Sequence, residues 1–384
     1  MGETIIYEGW SRVLADGAFP GDDVRWQYPP LAAFPMLLPR LLGGMYGIAF
    51  MLCAIAADLL VLCLLLKKGE SKAGAWCWIG GVLLLGPVCF FRYDLFVAAP
   101  VVAALLWLGR DRTFGALVAV GVLMKVWPGL LLLALGRGRA AVRAAAASAV
   151  TSLAVLVSMS VAGDGAWGFL RAQRDRGVEV EALVATPIQV ARWFGWPGDV
   201  QYRYGSWELV GPGVAAAGTV SVLATVLGLT MVTWAVARRD PREWTPAAGA
   251  DAALAAVLVL IVCGRVLSPQ YLLWALGIAV VCLASARTRQ RPAVTAVLVA
   301  TALTHAEFPL LWKDVLEGQA LAVGVLALRN VLLVVAAVLA VVTVWKAETR
   351  QARPGGEDAV HGTDRVTERR GAGRGRLRLA RRPS

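Results

Sequence analysis

A small set of ionisable side chains interrupts the apolar segments of the chain, and such groups are costly at bilayer depth unless they are paired or hydrated. They are Asp58, Arg92, Asp94, Lys125, Arg265, His305 and Arg329. In the topology derived below, all of them except Asp58 lie toward the same face of the membrane. Arginine and lysine at a membrane edge bind the oxygens of a lipid-linked phosphate directly. A carboxylate on the aqueous side of that phosphate would deprotonate an acceptor hydroxyl.

The N-terminal segment adds carboxylates to the same predicted face, namely Glu3, Asp16, Asp22 and Asp23. We therefore predict a cavity there with several cations, at least one potential base and aromatic walls. Asp22 and Asp23 follow a Pro-Gly pair, a pattern that is also typical of turn or capping residues. His305 likewise has a purely structural interpretation, as a turn residue.

Structural roles remain open for the other embedded groups. Arg92 and Asp94 suit a pair at a helix end, and Lys125 suits an interfacial anchor. We interpret Asp58, alone in an apolar span, as a structural partner to another span. Arg329 is compatible with a position at the outer headgroup level.

The composition indicates an integral membrane protein. The chain has 384 residues, of which 58% are hydrophobic and 17% charged, whereas soluble domains average about 45–50% apolar and about 25% charged residues. The net charge of +12 comes from short loops and a basic C-terminal tail. It lacks the aromatic interleaving of a nucleic-acid platform, so we predict no nucleic-acid partner. All six cysteines lie in apolar runs without metal-ligand spacing, which indicates small buried hydrophobes.

Apolar segments long enough to approach the bilayer thickness recur along the chain, and they predict an all-α multi-span bundle. The candidate spans are 45–66, 74–91, 95–109, 113–136, 143–162, 213–237, 249–264, 268–286, 292–305 and 327–346. Lys125 and Pro128 interrupt the segment 113–136, which is either one bent span or two half-helices. We therefore predict about ten or eleven spans.

Lysine and arginine cluster in alternate loops, and this bias marks the cytoplasmic side. With 113–136 counted as a broken pair, the basic loops all fall on one face. They include Lys67, Lys68 and Lys72; Arg110 and Arg112; Arg137, Arg139 and Arg143; Arg238, Arg239 and Arg242; and Arg287, Arg289 and Arg291. We therefore predict a multi-pass membrane protein. The dominance of Ala, Val, Gly and Arg in the sequence is typical of GC-rich coding, which indicates a bacterial cell membrane.

Three regions follow from this topology. Residues 1–44 form a first extracytoplasmic segment that holds the candidate base, and 45–346 form the transmembrane domain. Within it, 163–212 is an extracytoplasmic loop too long for a simple connector. Residues 347–384 form a basic, disordered cytoplasmic tail. Because the chain begins outside without a preceding span, we expect either a reverse-anchor first span or, preferably, a late start codon with a first span missing.

Several motifs, in order, resemble a known family. They are Glu3–Trp10 (ETIIYEGW), Gly17–Pro20, Trp26–Pro30, Arg92–Asp94, Lys125–Pro128 and Ser268–Tyr271. The N-terminal ones resemble the first extracytoplasmic loop of glycosyltransferase family 87. These are polyprenyl-phosphate-mannose-dependent mannosyltransferases of the GT-C membrane fold, and they include mycobacterial phosphatidylinositol mannoside mannosyltransferases. The resemblance extends from residue 3 to about residue 345 and implies a GT-C type multi-span bundle whose extracytoplasmic loops form the site.

The resemblance implies inverting transfer of a sugar, with mannose the best single choice, from a polyprenyl phosphate to an acceptor hydroxyl outside the cytoplasm. In the family, an Asp four residues before a Tyr serves as the base. Here Glu3 before Tyr7 takes that position with a side chain longer by a methylene, and Asp22 or Asp23 is the alternative. Displacement of the base by even about 1 Å lowers the reaction rate substantially.

The remaining roles implied by the resemblance concern the two substrates. Arg92, Lys125 and Arg265 are expected to bind the donor phosphate. The residues expected to contact substrate are Tyr7, Tyr28, Asp94, Gln270, Tyr271 and His305. We expect no obligatory metal and no cofactor, because a polyprenyl-phosphate leaving group needs less metal assistance than a nucleotide diphosphate. The expected partners are the donor, a glycolipid or glycan acceptor and the lipid bilayer.

Other functions remain open at this level. A polytopic transporter or lipid flippase would also need many spans, but such folds place broken helices in matching halves near the midplane. Only one break, at Lys125–Pro128, is evident. A non-catalytic relative of the GT-C enzymes that binds lipid-linked sugars is the second alternative. The acceptor class (glycolipid, polysaccharide or protein), the choice of mannose over arabinose and the oligomeric state do not follow from the sequence.

Overall fold

The computed structural model describes residues 2–162, 166–167 and 176–346. The predicted tail 347–384 and part of the predicted loop 163–212 lie outside this range. The α-helices of the described residues are α1 (Gly2–Ala15), α2 (Ala33–Leu37), α3 (Tyr46–Lys68), α4 (Ala73–Leu85), α5 (Val88–Phe91), α6 (Asp94–Leu106), α7 (Asp111–Met124), α8 (Arg139–Ala162), α9 (Thr186–Ala191), α10 (Val214–Ala237), α11 (Pro246–Cys263), α12 (Leu272–Ala284), α13 (Arg291–His305), α14 (Trp312–Glu317) and α15 (Ala320–Lys346).

The predicted mostly helical membrane fold is confirmed. Six helices are long and apolar enough to cross a bilayer: Tyr46–Lys68, Arg139–Val161, Val214–Ala237, Pro246–Cys263, Arg291–Leu310 and Ala320–Lys346. Four apolar helical segments are shorter: Pro30–Leu42, Ala73–Leu85, Asp94–Leu106 and Pro269–Ala284. The predicted spans 74–91, 95–109 and 268–286 thus contain helices of only 13 residues each. The apolar segment Pro30–Leu42 was not among the predicted spans.

The predicted break in segment 113–136 is present. Helix α7 ends at Met124, and Lys125 is extended, with φ −158° and ψ 134°. The chain then continues as a 3₁₀ helix over Trp127–Leu135. Pro128 has no N–H to donate to the helical ladder, which favours a new start over a continuous helix. The break places Lys125 between two helical segments instead of within one continuous helix.

The core of the bundle lies around α11 and α12, whose residues are almost all buried. Helices α8 and α10 lie at its periphery and expose large apolar side chains, such as Val150 and Leu153 on α8 and Leu223 and Leu227 on α10. In a membrane protein, such a surface is suited to contact with lipid chains.

The segment 1–44 is more ordered than a loop. Helix α1 buries Tyr7 and Trp10 on one face while Ile5 is 71% exposed on another. The Tyr7 ring packs on Phe50 of α3 and on Tyr93, with centroid separations of 5.4 and 6.3 Å. This aromatic packing fixes the first turn of α1 beside the ends of α5 and α6.

A small antiparallel sheet, absent from the sequence-based prediction, lies between α8 and α10. Its strands are β1 (Val178–Glu179), β2 (Asp199–Arg203) and β3 (Ser206–Val210), in the order β1-β3-β2. Leu209 is paired with Val178 on one side and with Val200 on the other. The N–H of Glu179 donates to the carbonyl of Arg265 at 3.0 Å. This bond fastens the sheet to the connection between α11 and α12.

At another end of the bundle, two of the predicted cytoplasmic loops meet the last turn of α15. Arg239 donates to the carbonyl of Val344 at 2.6 Å, and Arg137 donates to the carbonyl of Arg239 at 3.3 Å. The indole of Trp244 donates to the carbonyl of Ala134 at 2.7 Å. The loops after the 3₁₀ segment and α10 therefore lie at the same end of the bundle as the last turn of α15.

Asp58 has the structural role that the sequence indicated. Its Oδ1 accepts a hydrogen bond from the indole N–H of Trp78 at 2.7 Å, which joins α3 to α4.

Candidate active site

A cavity of about 980 Å³ opens where α1, the α5–α6 turn, the Lys125 break, the sheet and the α11–α12 connection meet. Five cationic side chains of the described residues line it: Arg25, Arg92, Lys125, Arg176 and Arg265. Three carboxylates share the wall: Glu3, Glu179 and Glu181. The polar part of this wall therefore has an excess of positive charge, which suits an anionic ligand.

Glu3 lies in the first turn of α1, and its Oε1 is 3.1 Å from Nη1 of Arg92. Arg92 is the extended residue between α5 and α6. Both side chains are about one-fifth exposed, at 22% and 20%. The cavity thus contains a carboxylate that a neighbouring guanidinium holds in a fixed direction.

Lys125 lies on the same wall in a different arrangement. Its Nζ is 2.7 Å from Oδ1 of Asp94, and the indole of Trp274 donates to the same oxygen at 2.7 Å. The rings of Tyr93, Tyr271 and Trp274 surround the ammonium at 4.7–5.1 Å from their centroids. Such contacts stabilise a desolvated cation, so the charge of Lys125 is already balanced within the wall.

Three aromatic rings form a continuous stack beside this pair. Tyr271 and Trp274 are 3.7 Å apart between centroids at 23°, and Trp274 and Trp127 are 5.2 Å apart at 18°. All three residues line the cavity. A flat apolar surface with hydrogen-bonding groups nearby is suited to the C–H face of a sugar ring. Gln270 is one such group, since its buried Oε1 has no hydrogen-bond donor among the described residues.

The wall formed by the sheet contains two buried glutamates. Glu179 accepts hydrogen bonds from the N–H of Leu267 at 2.8 Å and from the Ser268 hydroxyl at 3.0 Å. Burial raises the pKa of Glu179, while Arg176 and these hydrogen bonds oppose that shift. The bonds tie the sheet to the α11–α12 connection, so Glu179 is a structural component of the wall.

Glu181 belongs to a buried cluster with Glu307 and Arg329. Nη2 of Arg329 is 3.2 Å from Oε2 of Glu307 and 3.6 Å from Oε1 of Glu181. Exposure of all three side chains is 2% or less. Burial and the adjacent Glu307 raise the pKa of Glu181 well above its ordinary value. The guanidinium of Arg329 therefore faces two carboxylates inside the protein, and its position at the outer headgroup level stays a prediction.

Part of the cavity wall is apolar. It includes Val126 and Leu130 at the start of the 3₁₀ segment, Leu229 from α10 and Leu260 from α11. Helices α10 and α11 are candidate membrane spans. The wall therefore combines cationic side chains with apolar side chains from two candidate spans.

Seven of the residues predicted for the site line the cavity: Glu3, Tyr28, Arg92, Lys125, Arg265, Gln270 and Tyr271. Tyr7 and Asp94 are buried immediately behind the wall, at 1% exposure each. The suggested Arg92–Asp94 pair is wrong, because Arg92 contacts Glu3 and Asp94 contacts Lys125. Burial raises the pKa of the Tyr28 phenol, which therefore remains neutral and able to donate a hydrogen bond.

The other predicted residues lie away from the cavity wall. The Nδ1 of His305 is 3.1 Å from the carbonyl of Leu85. Asp22 is exposed in a turn. Asp23 accepts hydrogen bonds from the Arg25 guanidinium and from the indole of Trp10 at 2.9 Å. The Arg25 contact, opposed by partial burial, lowers the pKa of Asp23 to about 2.

Sequence analysis missed Arg25, Arg176, Glu179, Glu181 and Trp274. The first four lie in polar segments, where a charge is ordinary and does not stand out. The sequence signal for these residues is the alternation of apolar and acidic side chains in Val178-Glu179-Val180-Glu181, which is typical of a strand. Among the described residues, no group of three His, Cys, Asp or Glu side chains is arranged to hold a metal ion.

Comparison with known proteins gives one assignment. The model of glycosyltransferase family 87 matches residues 26–264. Arg92, Lys125, Arg176 and Glu179 lie within the matched segment, whereas Glu3 lies upstream of it and Arg265 directly follows it. No curated protein matches the chain significantly. Because the family match covers well over half of the sequence, and the fold is a helical membrane bundle, the chain belongs to glycosyltransferase family 87 and is a membrane glycosyltransferase.

Proposed function

We propose that the protein transfers a sugar from a polyprenyl phosphate to an acceptor hydroxyl, with inversion at the anomeric carbon. The observation that supports this most directly is the Glu3–Arg92 pair in a cationic cavity whose wall is partly apolar. A carboxylate, several arginines and an apolar surface for a lipid chain are the groups that this reaction requires. Membership of a glycosyltransferase family favours this enzyme over the transporter and the non-catalytic binder.

In the proposed reaction, Glu3 accepts the proton of the acceptor hydroxyl as its oxygen attacks the anomeric carbon. The bond between that carbon and the phosphate oxygen breaks on the opposite face, and polyprenyl phosphate leaves with the bonding electrons. The proton remains on Glu3 until solvent removes it. Arg92 fixes the direction of the Glu3 carboxylate at 3.1 Å. General-base catalysis of this kind contributes roughly 10²–10⁴ in rate.

We assign the donor phosphate to Arg92, Arg176 and Arg265, which line the chamber from three different segments. Negative charge grows on the leaving phosphate in the transition state, so fixed guanidinium groups stabilise that state more than the ground state. Lys125, predicted for the same role, is bound by Asp94 and aromatic rings. Its proposed role is to hold the aromatic stack in place.

The transferred sugar would lie against Tyr271, Trp274 and Trp127, with Gln270 as a hydrogen-bond donor or acceptor. Mannose is the proposed sugar because the motifs resemble those of mannosyltransferases. The polyprenyl chain would lie along the apolar part of the wall, which includes Leu130, Leu229 and Leu260. On the topology of the basic loops, the cavity faces the extracytoplasmic side.

The test uses membranes from cells that express the full chain, supplied with radiolabelled polyprenyl-phosphate mannose and an extract of host glycolipids. We expect the radiolabel to appear in a lipid or glycan product. The anomeric configuration of the new linkage should be opposite to that of the donor. Glu3→Gln should abolish the transfer, whereas Glu8→Gln on the same helix should not. Equal activity of Glu3→Gln and the wild type would refute the proposed base, and a folded but inactive wild type with all substrates present would refute the proposed donor.

A further inference from the structure

The β2–β3 hairpin places a tight turn on the wall of the cavity proposed as the reaction chamber. Arg203 is paired with Ser206, so only Tyr204 and Gly205 connect the two strands. Their φ values are +50° and +83°, and positive φ at both positions is typical of a type I′ hairpin turn. Both residues line the chamber. The turn therefore has a defined local shape, and its position at the chamber depends on the groups that hold it there.

The outer strand of this hairpin is mostly exposed. β2 is an edge strand in the order β1-β3-β2, and four of its five residues are exposed. β3 is held more firmly, because Leu209 is paired with Val178 of β1 and is only 2% exposed. Segments with few buried side chains and exposed backbone hydrogen bonds open at low free energy. The hairpin turn is therefore the part of the sheet that is displaced most easily.

Two side chains fasten the turn through one carbonyl group. Nε2 of Gln27 donates to the carbonyl oxygen of Tyr204 at 3.2 Å, and Nη2 of Arg176 donates to the same oxygen at 3.5 Å. Gln27 lies in the N-terminal segment and is 7% exposed, whereas Arg176 precedes β1. We call the Tyr204 carbonyl, Gln27 and Arg176 the latch. It connects the hairpin turn to two other walls of the chamber.

Arg176 belongs both to the latch and to the proposed phosphate site. Its Nη2 also donates to the Ser206 hydroxyl at 3.2 Å, while its buried Nε has no acceptor among the described residues. A guanidinium can bind an oxyanion side-on through Nε and Nη2, as Arg25 binds Asp23 in this structure. The same edge of Arg176 is occupied by the latch. Because Nε is buried, the guanidinium must turn toward the chamber to bind a phosphate in this way, and Nη2 then leaves the Tyr204 carbonyl.

We propose that residues 202–206 form a strap that is latched over the chamber in the free enzyme, and that the donor phosphate releases the strap by turning Arg176 away from Tyr204. A ligand shifts a conformational equilibrium only through its difference in affinity for the two states. Here that difference is the side-on contact, which the phosphate gains only when the latch has opened. This inference rests on the proposed function, because it requires the donor phosphate at Arg176.

Release of the strap gives the reaction an order. Tyr202 and Trp207 line the chamber beside the turn, and Tyr202 is 49% exposed. Displacement of the turn therefore widens the chamber on the side that the hairpin covers. The acceptor enters through this opening after the donor has bound, so it does not occupy the phosphate site first.

A disulfide can lock the strap. A Cβ added to Gly205 would lie 3.7 Å from Cβ of Arg25, within the range of about 3.5–4.5 Å that a disulfide requires. The full-length double variant Arg25→Cys/Gly205→Cys is placed in nanodiscs, and mass spectrometry follows disulfide formation under a mild oxidant. Polyprenyl phosphate should slow the formation several-fold, whereas the uncharged polyprenol should not. The single variant Gly205→Cys controls for reaction with the native cysteines.

Phosphate binding measures the same coupling in the opposite direction, since coupling between two equilibria is reciprocal. The oxidised double variant should bind radiolabelled polyprenyl phosphate about tenfold more weakly than its reduced form, because the locked strap keeps one charge-assisted hydrogen bond of Arg176. Both forms contain the same two substitutions, so the effects of a cysteine at positive φ and of the lost Arg25 cancel. Gln27→Leu weakens the latch and should bind several-fold more tightly than the wild type. Gln201→Leu, at an exposed residue of β2 that does not line the chamber, should bind like the wild type.

The outcomes separate this inference from the proposed function. The strap is refuted, and the proposed function stands, if the wild type transfers sugar while polyprenyl phosphate leaves the rate of disulfide formation unchanged. Equal phosphate binding by Gln27→Leu and Gln201→Leu also refutes it, and this comparison applies even if the cysteine pair does not fold. Slower disulfide formation without sugar transfer by the wild type would support the strap and refute the transfer reaction. A folded wild type that does not bind polyprenyl phosphate would refute both.

Discussion

The carboxylate of Glu3 lies 3.1 Å from the guanidinium of Arg92, although nearly ninety positions and the helices α2 to α5 separate the two residues in the sequence. Their contact depends on the burial of Tyr7 and Trp10, which hold α1 against α3 and Tyr93. A base for glycosyl transfer must be fixed relative to the leaving phosphate. The pair supplies this constraint, because the same arginine is proposed to contact both the base and the phosphate.

Replacing Glu3 by Gln should reduce kcat by roughly 10²–10⁴-fold, since the amide cannot accept a proton. The donor KM should change far less, because Arg92 remains. Radiolabel transfer under saturating donor measures the effect. Glu8→Gln is the matched control on the same helix, where Glu8 pairs with Arg12 outside the cavity. Loss of activity in both variants would indicate a disturbed α1 and not a missing base.

Asp23→Asn should leave most of the transfer activity intact but lower the thermal midpoint at neutral pH. The pKa of Asp23 falls from 3.8 to about 2 because Arg25 and Trp10 bind the ionised form. A carboxylate with a depressed pKa adds stability above pH 3.8 and loses it as the pH falls through about 2. The difference in midpoint between Asp23→Asn and the wild type should therefore narrow between pH 4 and pH 2.

The exposed neighbour Asp22 provides the control, and Asp22→Asn should not shift the midpoint at any pH. Differential scanning fluorimetry of the detergent-solubilised protein measures both variants. If Asp23→Asn abolishes transfer while Glu3→Gln retains it, Asp23 is the base and the assignment to Glu3 is incorrect.

The membrane fold could be predicted because long apolar runs are nearly sufficient to indicate membrane-spanning helices. The break at Lys125 was also predictable, since a lysine and a proline interrupt an otherwise apolar segment. Ionisable residues within apolar runs are conspicuous because a charge at bilayer depth costs free energy unless it is paired or hydrated. Arg92, Lys125 and Arg265 could therefore be placed at the cavity before their contacts were known.

The partners of these residues could not be predicted. Sequence proximity favours Arg92 with Asp94, yet the turn between α5 and α6 directs Arg92 to Glu3 and leaves Asp94 to Lys125. The sheet was missed because its strands have only two to five residues and are stabilised by contacts with the α11–α12 connection. Arg176, Glu179 and Glu181 gain their importance from that sheet, which the local sequence indicates only through the short alternation Val178-Glu179-Val180-Glu181.

Asp94→Asn should destabilise the protein strongly, because it leaves the Lys125 ammonium buried among Tyr93, Tyr271 and Trp274 without its anion. Removal of one partner of a buried pair costs about 3–5 kcal/mol. Lys125→Met alone should be similarly harmful, since it leaves Asp94 buried. The double variant Asp94→Asn/Lys125→Met should be less destabilised than the sum of the two single variants.

The double-variant cycle compares the thermal midpoints of the wild type, the two single variants and the double variant. Additive losses would show that the pair contributes no coupling and that each residue acts through separate contacts. A double variant that folds well but transfers sugar slowly would support the proposed role of Lys125 in holding the aromatic stack.

The cluster of Glu181, Glu307 and Arg329 predicts opposite responses to two chemically identical substitutions. Two buried carboxyls share one guanidinium, so one of them must hold a proton for the cluster to be neutral. Burial and Glu307 raise the pKa of Glu181 well above 4.5. Because the Arg329 guanidinium lies closer to Glu307, at 3.2 Å, than to Glu181, at 3.6 Å, we expect Glu181 to be the protonated member. Glu181→Gln should therefore raise the thermal midpoint at neutral pH, whereas Glu307→Gln should lower it strongly by leaving Arg329 without its anion.

The pH dependence provides an independent check on the same cluster. A carboxyl with a raised pKa stabilises the folded protein fully below pH 4.5, and that contribution is lost as the pH rises through the raised value. The wild type should thus lose the stability that the Glu181 carboxyl contributes as the pH increases above about 4.5. In Glu181→Gln, the thermal midpoint should vary less with pH. A flat wild-type profile, or equal destabilisation by the two glutamine variants, would show that the proton does not reside on Glu181.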